Sequence, residues 1–169
     1  MVEYSFKKAL NKRDLKILEL IQGNAAITNV ELARLVNLSP SATHGRVKRL
    51  EEEGYIERRL TVLSRDQRGF DMLCLILIRL KTHQIEQIKE FYESIEHLEE
   101  VLECYHITGE HDYVLKVAQR NHIELRTFVL EQLTPLPYIA TVLTSLVLEE
   151  VKFTTALPLT TAKRAVKKE

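Results

Sequence analysis

The chain has little of what marks a secreted, membrane-bound or catalytic protein. Among its 169 residues are only two cysteines, Cys74 and Cys104, too few for a disulfide scaffold. Each stands in an apolar run, so both are expected to be buried free thiols in a reducing cytosol. Leu73 to Leu80 is apolar but is interrupted at Arg79 and is no longer than a strand, and no segment reaches the length of a membrane span. The opening MVEYSFKK lacks the apolar stretch of a signal peptide, so a cytoplasmic location is expected. No Ser-His-Asp elbow, Gly-rich phosphate loop or Walker pattern occurs. His97, His106, His111 and His122 have no metal-ligand spacing, and Glu86, Glu90, Glu93, Glu96, Glu99 and Glu100 read as a solvated acidic face. These absences point away from catalysis and imply no metal and no cofactor.

A net charge of one sign is absent as well, with 24 basic and 24 acidic residues. Their distribution is uneven. Residues 1–68 hold 13 Lys and Arg against 9 Asp and Glu, residues 69–160 hold 7 against 14, and the last nine hold 4 against 1. Basic ends around an acidic middle fit a nucleic-acid-binding head on a body that stays off DNA.

What is present is concentrated between Thr28 and Gly54. Thr28 with Glu31 three residues later has the form of a capping box at a helix start. Leu32, Ala33 and Val36 fall on one face, and Asn37 tolerates the left-handed backbone that ends a helix. Ser39-Pro40 begins another, with a hydroxyl at the N-cap and a proline where no N–H is needed. Thr43, Val47 and Leu50 share its inward face. Ser41, His44, Gly45 and Lys48 point outward, and Arg46 and Arg49 lie on the flanks. This is a helix-turn-helix whose second helix suits a DNA major groove, with small donors at its start and cations along it. The candidate DNA contacts are Ser39, Ser41, Thr43, His44, Arg46, Lys48 and Arg49. A solvated helical hairpin with basic residues is the alternative reading of the same pattern.

Leu15, Ile17, Leu18 and Ile21 supply a preceding helix and complete a three-helix head. Tyr55 to Leu63 reads as an extended exit or a small wing, and the polar SRDQRG from Ser64 to Gly69 as a linker. Beyond it the period changes. Leu73 to Ile78 suits a strand buried on both faces, and Ile85, Ile88, Tyr92 and Ile95 a helix. Val101 to Thr108 and Tyr113 to Ala118 form two strands around the turn Gly109-Glu110-His111-Asp112. Ile123, Phe128, Val129 and Leu133 suggest a second helix stopped by Pro135 and Pro137, and Tyr138 to Val151 a long closing strand. The order is βαββαβ, so the fold class is α+β: a winged-helix-like helix-turn-helix domain (1–63), a linker (64–72), a ferredoxin-like body (73–159) and a basic tail (160–169) expected to be disordered. One face of such a sheet is left without helices, and covering it with a second copy makes a homodimer.

This arrangement resembles the Lrp/AsnC regulators, the leucine-responsive and asparagine-responsive "feast/famine" transcription factors of bacteria and archaea. Leu10 to Leu18 is similar to the family's opening motif, Asn29 to Ala33 and Leu38 to Ser41 to its helix-turn-helix, and Arg46 to Glu51 to its recognition helix. Glu103-Cys104 to Tyr113 resembles its effector loop, and Glu149 to Lys152 its closing strand. Asn11 stands where the family has aspartate, a change that touches helix capping. Gly45 leaves a groove position without a side chain, and His111 replaces a common aromatic.

The resemblance implies double-stranded DNA as partner and homodimers that assemble further, into an octamer, with an amino-acid effector held between dimers. Asp112 would pair with the effector's ammonium, N–H groups near Gly109 would receive its carboxylate, and Thr144 and Ser145 would add hydroxyls from a neighbouring dimer. Glu110 and His111 complete the candidate effector set. A plain β-turn capped by Asp112 is the alternative there. Two other functions stay open: an architectural DNA-binding protein without effector response, and an enzyme like the sirohaem decarboxylases, which share the layout. Cys104 to Tyr113 lacks the latter's Asn-Tyr-x-Arg run.

Overall fold

The computed structural model describes residues 10–159. The described residues divide into two compact units, one made by residues 10–62 with 153–159 and the other by 63–152. The basic tail lies outside the described residues.

In the first unit, α1 (Lys12–Gly23), α2 (Asn29–Val36) and α3 (Pro40–Glu52) pack around Ile17, Leu18, Ile21, Leu32, Val36, Val47 and Leu50. Local chemistry sets each helix start. At α1, Asn11 accepts from the Arg13 and Asp14 N–H groups, and Asp14 accepts in return from the Asn11 N–H. Thr28 caps α2 through the Glu31 N–H, and Ser39 caps α3 through the Ala42 N–H, with Pro40 in the first turn. Asn37 closes α2 in the left-handed region at φ 53°. Residues 57–64 follow without regular structure.

The second unit contains β1 (Met72–Leu80), α4 (Ile85–Glu96), β2 (Val101–His106), β3 (Tyr113–Gln119), α5 (His122–Thr127) and β4 (Ile139–Leu146). A π-helical stretch, Phe128–Leu133, continues α5. The sheet is antiparallel in the order β2-β3-β1-β4. Its core lies on the helix side, where Cys74, Ile76, Ile78, Leu115 and Val117 meet Phe91, Ile95, Phe128 and Leu133. Each such aliphatic or aromatic side chain withdrawn from water contributes about 1.5–3 kcal/mol.

Four expectations change. β1 is buried on one face only: no helix covers the other, and Leu75 there is 40% exposed. Cys104 is exposed, because β2 is an edge strand, whereas Cys74 in the central β1 is buried. β4 ends at Leu146 and not at Val151, since β1 begins at Met72 and offers no further partner after the Val147 N–H to Leu73 carbonyl bond. Residues 153–159, assigned to the body from sequence, belong instead to the first unit. Gln22 Nε2 donates to the Leu157 carbonyl at 2.8 Å, and the Leu157 N–H donates to Gln22 Oε1 at 3.2 Å.

Candidate functional site

On α3 the structure sorts the candidate DNA contacts into three groups. Ser39, Ser41, His44 and Lys48 are exposed, with the two serine hydroxyls 3.2 Å apart. Asn29, in the first turn of α2, places its amide nitrogen 3.3 Å from His44 Nδ1.

Thr43 falls out of the set. It is fully buried beside Val47 and Leu50, so no duplex reaches its hydroxyl. The helical period that puts it on the inward face outweighs its polarity.

Arg46 and Arg49, candidate DNA contacts on the flanks of α3, form the third group. Arg46 Nη1 lies 2.8 Å from Asp14 Oδ1 and Arg49 Nη2 lies 2.7 Å from Asp14 Oδ2. Asp14 is 1% exposed, so its charge needs these partners. Burial pushes its carboxyl up, but the two guanidiniums and the Asn11 N–H outweigh that and hold it below the ordinary carboxylate range. These arginines therefore tie α3 to α1 and fix the angle at which the reading helix is presented. Asp14 had been noticed only as part of a motif; its place in the third position of α1, facing α3, was the available signal.

In the body, the hairpin between β2 and β3 carries Gly109 at φ +121°, a backbone state that side chains resist. Glu110 is exposed, whereas His111 and Asp112 are half-buried. Asp112 does not stand free for a ligand. Its Oδ2 accepts from the Leu80 N–H at 2.7 Å and its Oδ1 lies 2.8 Å from His83 Nε2. Burial raises its carboxyl, yet His83 and the Leu80 N–H together bring it below the ordinary range. His83, 29 residues away in sequence, carried no signal that could have linked it to this turn.

Thr144 and Ser145 are not brought to the hairpin within one chain. Thr144 lies opposite Ile76 and Ser145 opposite Leu75, whereas the hairpin meets β1 at Ile78. Neighbouring strand residues also point to opposite faces, so Thr144 shares the face of buried Ile76 and Ser145 the face of Leu75. The two adjacent side chains therefore face opposite sides of the sheet. Among the described residues no cluster of His, Cys, Asp or Glu is placed to hold a metal, and no helix is long and apolar enough to cross a membrane.

A three-helix reading head joined to a four-stranded sheet with a free face defines a class: one-component DNA-binding regulators that couple a helix-turn-helix to a small-molecule domain. Residues 10–57 match the family model described as winged helix-turn-helix DNA-binding, and residues 73–157 match the Lrp/AsnC ligand binding domain. The chain belongs to the Lrp/AsnC family of transcriptional regulators. It is 36% identical over 150 residues to the transcriptional regulator AzlB of Bacillus subtilis, covering 89% of this chain and 96% of that one. Identity to the leucine-responsive regulatory protein of Haemophilus influenzae is 35% over 158 residues, covering 94% and 95% of the two chains. In three dimensions it resembles a Neisseria meningitidis transcriptional regulator solved as an L-Met complex, with a TM-score of 0.87, 34% identity and coverage of 90% and 98%. Escherichia coli AsnC follows at a TM-score of 0.81, 29% identity and coverage of 89% and 100%.

Proposed function

We propose that this DNA-binding regulator responds to a free amino acid taken up at the Gly109–Asp112 hairpin, that it acts in the cytoplasm, and that it is not an enzyme. Asp112 carries the reading. It holds the hairpin to the end of β1 with one oxygen, while its other oxygen is engaged only by His83, whose side chain is 64% exposed and therefore open to displacement. An α-ammonium group arriving there replaces an imidazole with a charge-assisted bond. Backbone N–H groups at Gly109, Glu110 and His111 receive the carboxylate, and Thr144 or Ser145 of another copy closes the site. The L-Met complex of the Neisseria relative supports an amino acid as the ligand class.

Assembly begins at the free face of the sheet. Leu75, Leu143 and Tyr105 are 40%, 51% and 55% exposed on it, and the two charges at its centre pair with each other, Lys116 Nζ lying 3.1 Å from Glu103 Oε1. A second copy of this surface covers the apolar centre without stranding a charge, giving the homodimer from which higher oligomers, up to an octamer, are built. Effector binding shifts assembly by its differential affinity, and assembly sets how many heads engage DNA together. On α3, Ser39, Ser41, His44 and Lys48 make the direct DNA contacts.

A thermal-shift series with the standard amino acids tests the effector reading, because a ligand bound to the native state raises Tm by mass action. A rise confined to one chemical class and lost in Asp112→Asn is expected. No rise at millimolar ligand overturns an amino-acid effector and favours the architectural alternative.

A further inference from the structure

We propose that His44 reads a guanine through its Nε2–H, in a tautomer imposed by Asn29 across the α2–α3 turn; this rests on α3 being the helix that enters the groove. The Asn29 side-chain nitrogen faces His44 Nδ1 at 3.3 Å. With the amide nitrogen turned toward the ring, Nδ1 is assigned the acceptor role, which leaves the single proton of the neutral ring on Nε2. Nε2 lies on the far side of the imidazole from Asn29, on an exposed side chain. The ring therefore presents one donor outward, with its polarity decided by a residue of the preceding helix.

The surroundings suit that task. Next along the chain, Gly45 has no side chain, and nothing stands within 4 Å of where its Cβ would be. His44 is then the one large side chain on the outward face of the first half of α3, flanked by Ser41 and a gap through which a base edge can approach. Lys48, one turn on, is exposed, its Nζ 3.6 Å from Glu52 Oε1. Glu51 borders the same hollow as Asn29 and His44, but its carboxylate is engaged by Arg59 at 3.0 Å, so it does not compete for the imidazole.

A lone donor in the major groove discriminates among bases. Guanine offers two adjacent acceptors, N7 and O6. Adenine sets a donor beside its N7, thymine a methyl beside its O4, and cytosine offers a donor. Guanine is the match.

The test selects sites from a pool of randomised duplexes with the full-length protein and its variants. Wild type is expected to enrich guanine at one position of each half-site. His44→Ala should lower that preference about tenfold and leave the other positions unchanged. Asn29→Asp is the sharper variant, and an acidic residue at a helix start is favourable, so it folds. Its carboxylate can only accept, which moves the proton to Nδ1. The neutral ring then shows a bare Nε2 lone pair to the groove. Preference should move from guanine to a base with an amino group, adenine or cytosine, and ¹⁵N spectra of the imidazole report which nitrogen carries the proton.

Guanine preference retained in His44→Ala overturns the proposal. So does a proton that stays on Nε2 in Asn29→Asp, or one that moves without changing base preference. If His44→Ala weakens every sequence equally and flattens the salt dependence, His44 touches a phosphate; the proposal then fails while α3 remains the DNA-binding helix. Wild type that binds no duplex at all would instead sink the groove assignment itself.

Discussion

Each half of the molecule closes around an aspartate, and the two are built differently. In the head, Asp14 is 1% exposed and held by two guanidiniums at 2.8 and 2.7 Å. In the body, the Asp112 side chain is 18% exposed and held by one backbone N–H and one exposed imidazole. Guanidiniums keep their charge at every accessible pH, and burial strengthens their attraction to the carboxylate. An imidazole facing solvent exchanges its partner with water or ligand at little cost. Depth and partner type thus separate a permanent anchor, which sets the angle of the reading helix, from the contact that the proposed function makes a latch for the effector.

The largest effect should come from breaking the anchor. Asp14→Ala leaves both guanidiniums without their carboxylate. Removing one partner of a fully buried pair costs about 3–5 kcal/mol, but Arg46 and Arg49 are 29% and 35% exposed, so about 2–3 kcal/mol is expected. Denaturant melts should show the head unfolding earlier while the body keeps its assembly, and DNA binding should fail with the head. Unchanged head stability would mean the triad is a surface ornament and the arginines are free for phosphate after all.

Acid sharpens the same contrast. Both carboxyls sit below the ordinary range in the folded chain, so each contributes stability that is fully present above the unfolded value, about pH 4, and is lost as pH falls through the folded one. Asp112→Asn keeps an acceptor for the Leu80 N–H but gives up the charge opposite His83, so the body should lose about 1 kcal/mol at neutral pH and become less sensitive to acid. Head stability should keep its full acid dependence in that variant. An unchanged acid limb in the body would show that Asp112 is not the group being titrated.

A smaller effect tests whether the latch opens. His83→Ala frees Asp112 Oδ1 before the ligand arrives, which removes the cost of displacement. Effector affinity, read by calorimetry, should rise about two- to fivefold. Weaker binding would make His83 part of the ligand's own contact set.

Much of this was legible beforehand, and the failures share a cause. Periodicity placed all three head helices and the βαββαβ order, because a 3.6-residue stripe or an apolar strand is a local property of the chain. Caps at Thr28 and Ser39 and the left-handed Asn37 were readable for the same reason. Pairings between distant residues were not. Nothing near Arg46 says that its partner lies 32 positions away on α1, and nothing near Asp112 points to His83. The fold gives each of these charged side chains a partner inside the chain that the local sequence does not indicate. That Thr144 and Ser145 face opposite sides of β4 follows from a local rule, the alternation of side chains along a strand.

The smallest effect bears on Thr43, the residue the groove reading lost. Its hydroxyl is buried and has no hydrogen-bond partner among the described residues. A buried hydroxyl in that position has given up water without replacement, a cost that disappears when the oxygen becomes a methyl group. Thr43→Val keeps the branched shape beside Val47 and Leu50, so the head should gain about 0.5 kcal/mol. The lower helix propensity of β-branched residues is already present in threonine and does not offset the gain. DNA affinity and base preference should not move, since no duplex reaches the site. A loss of affinity at unchanged stability would return Thr43 to the groove and require α3 to shift on binding; a loss of stability would mean the hydroxyl has a partner in solution.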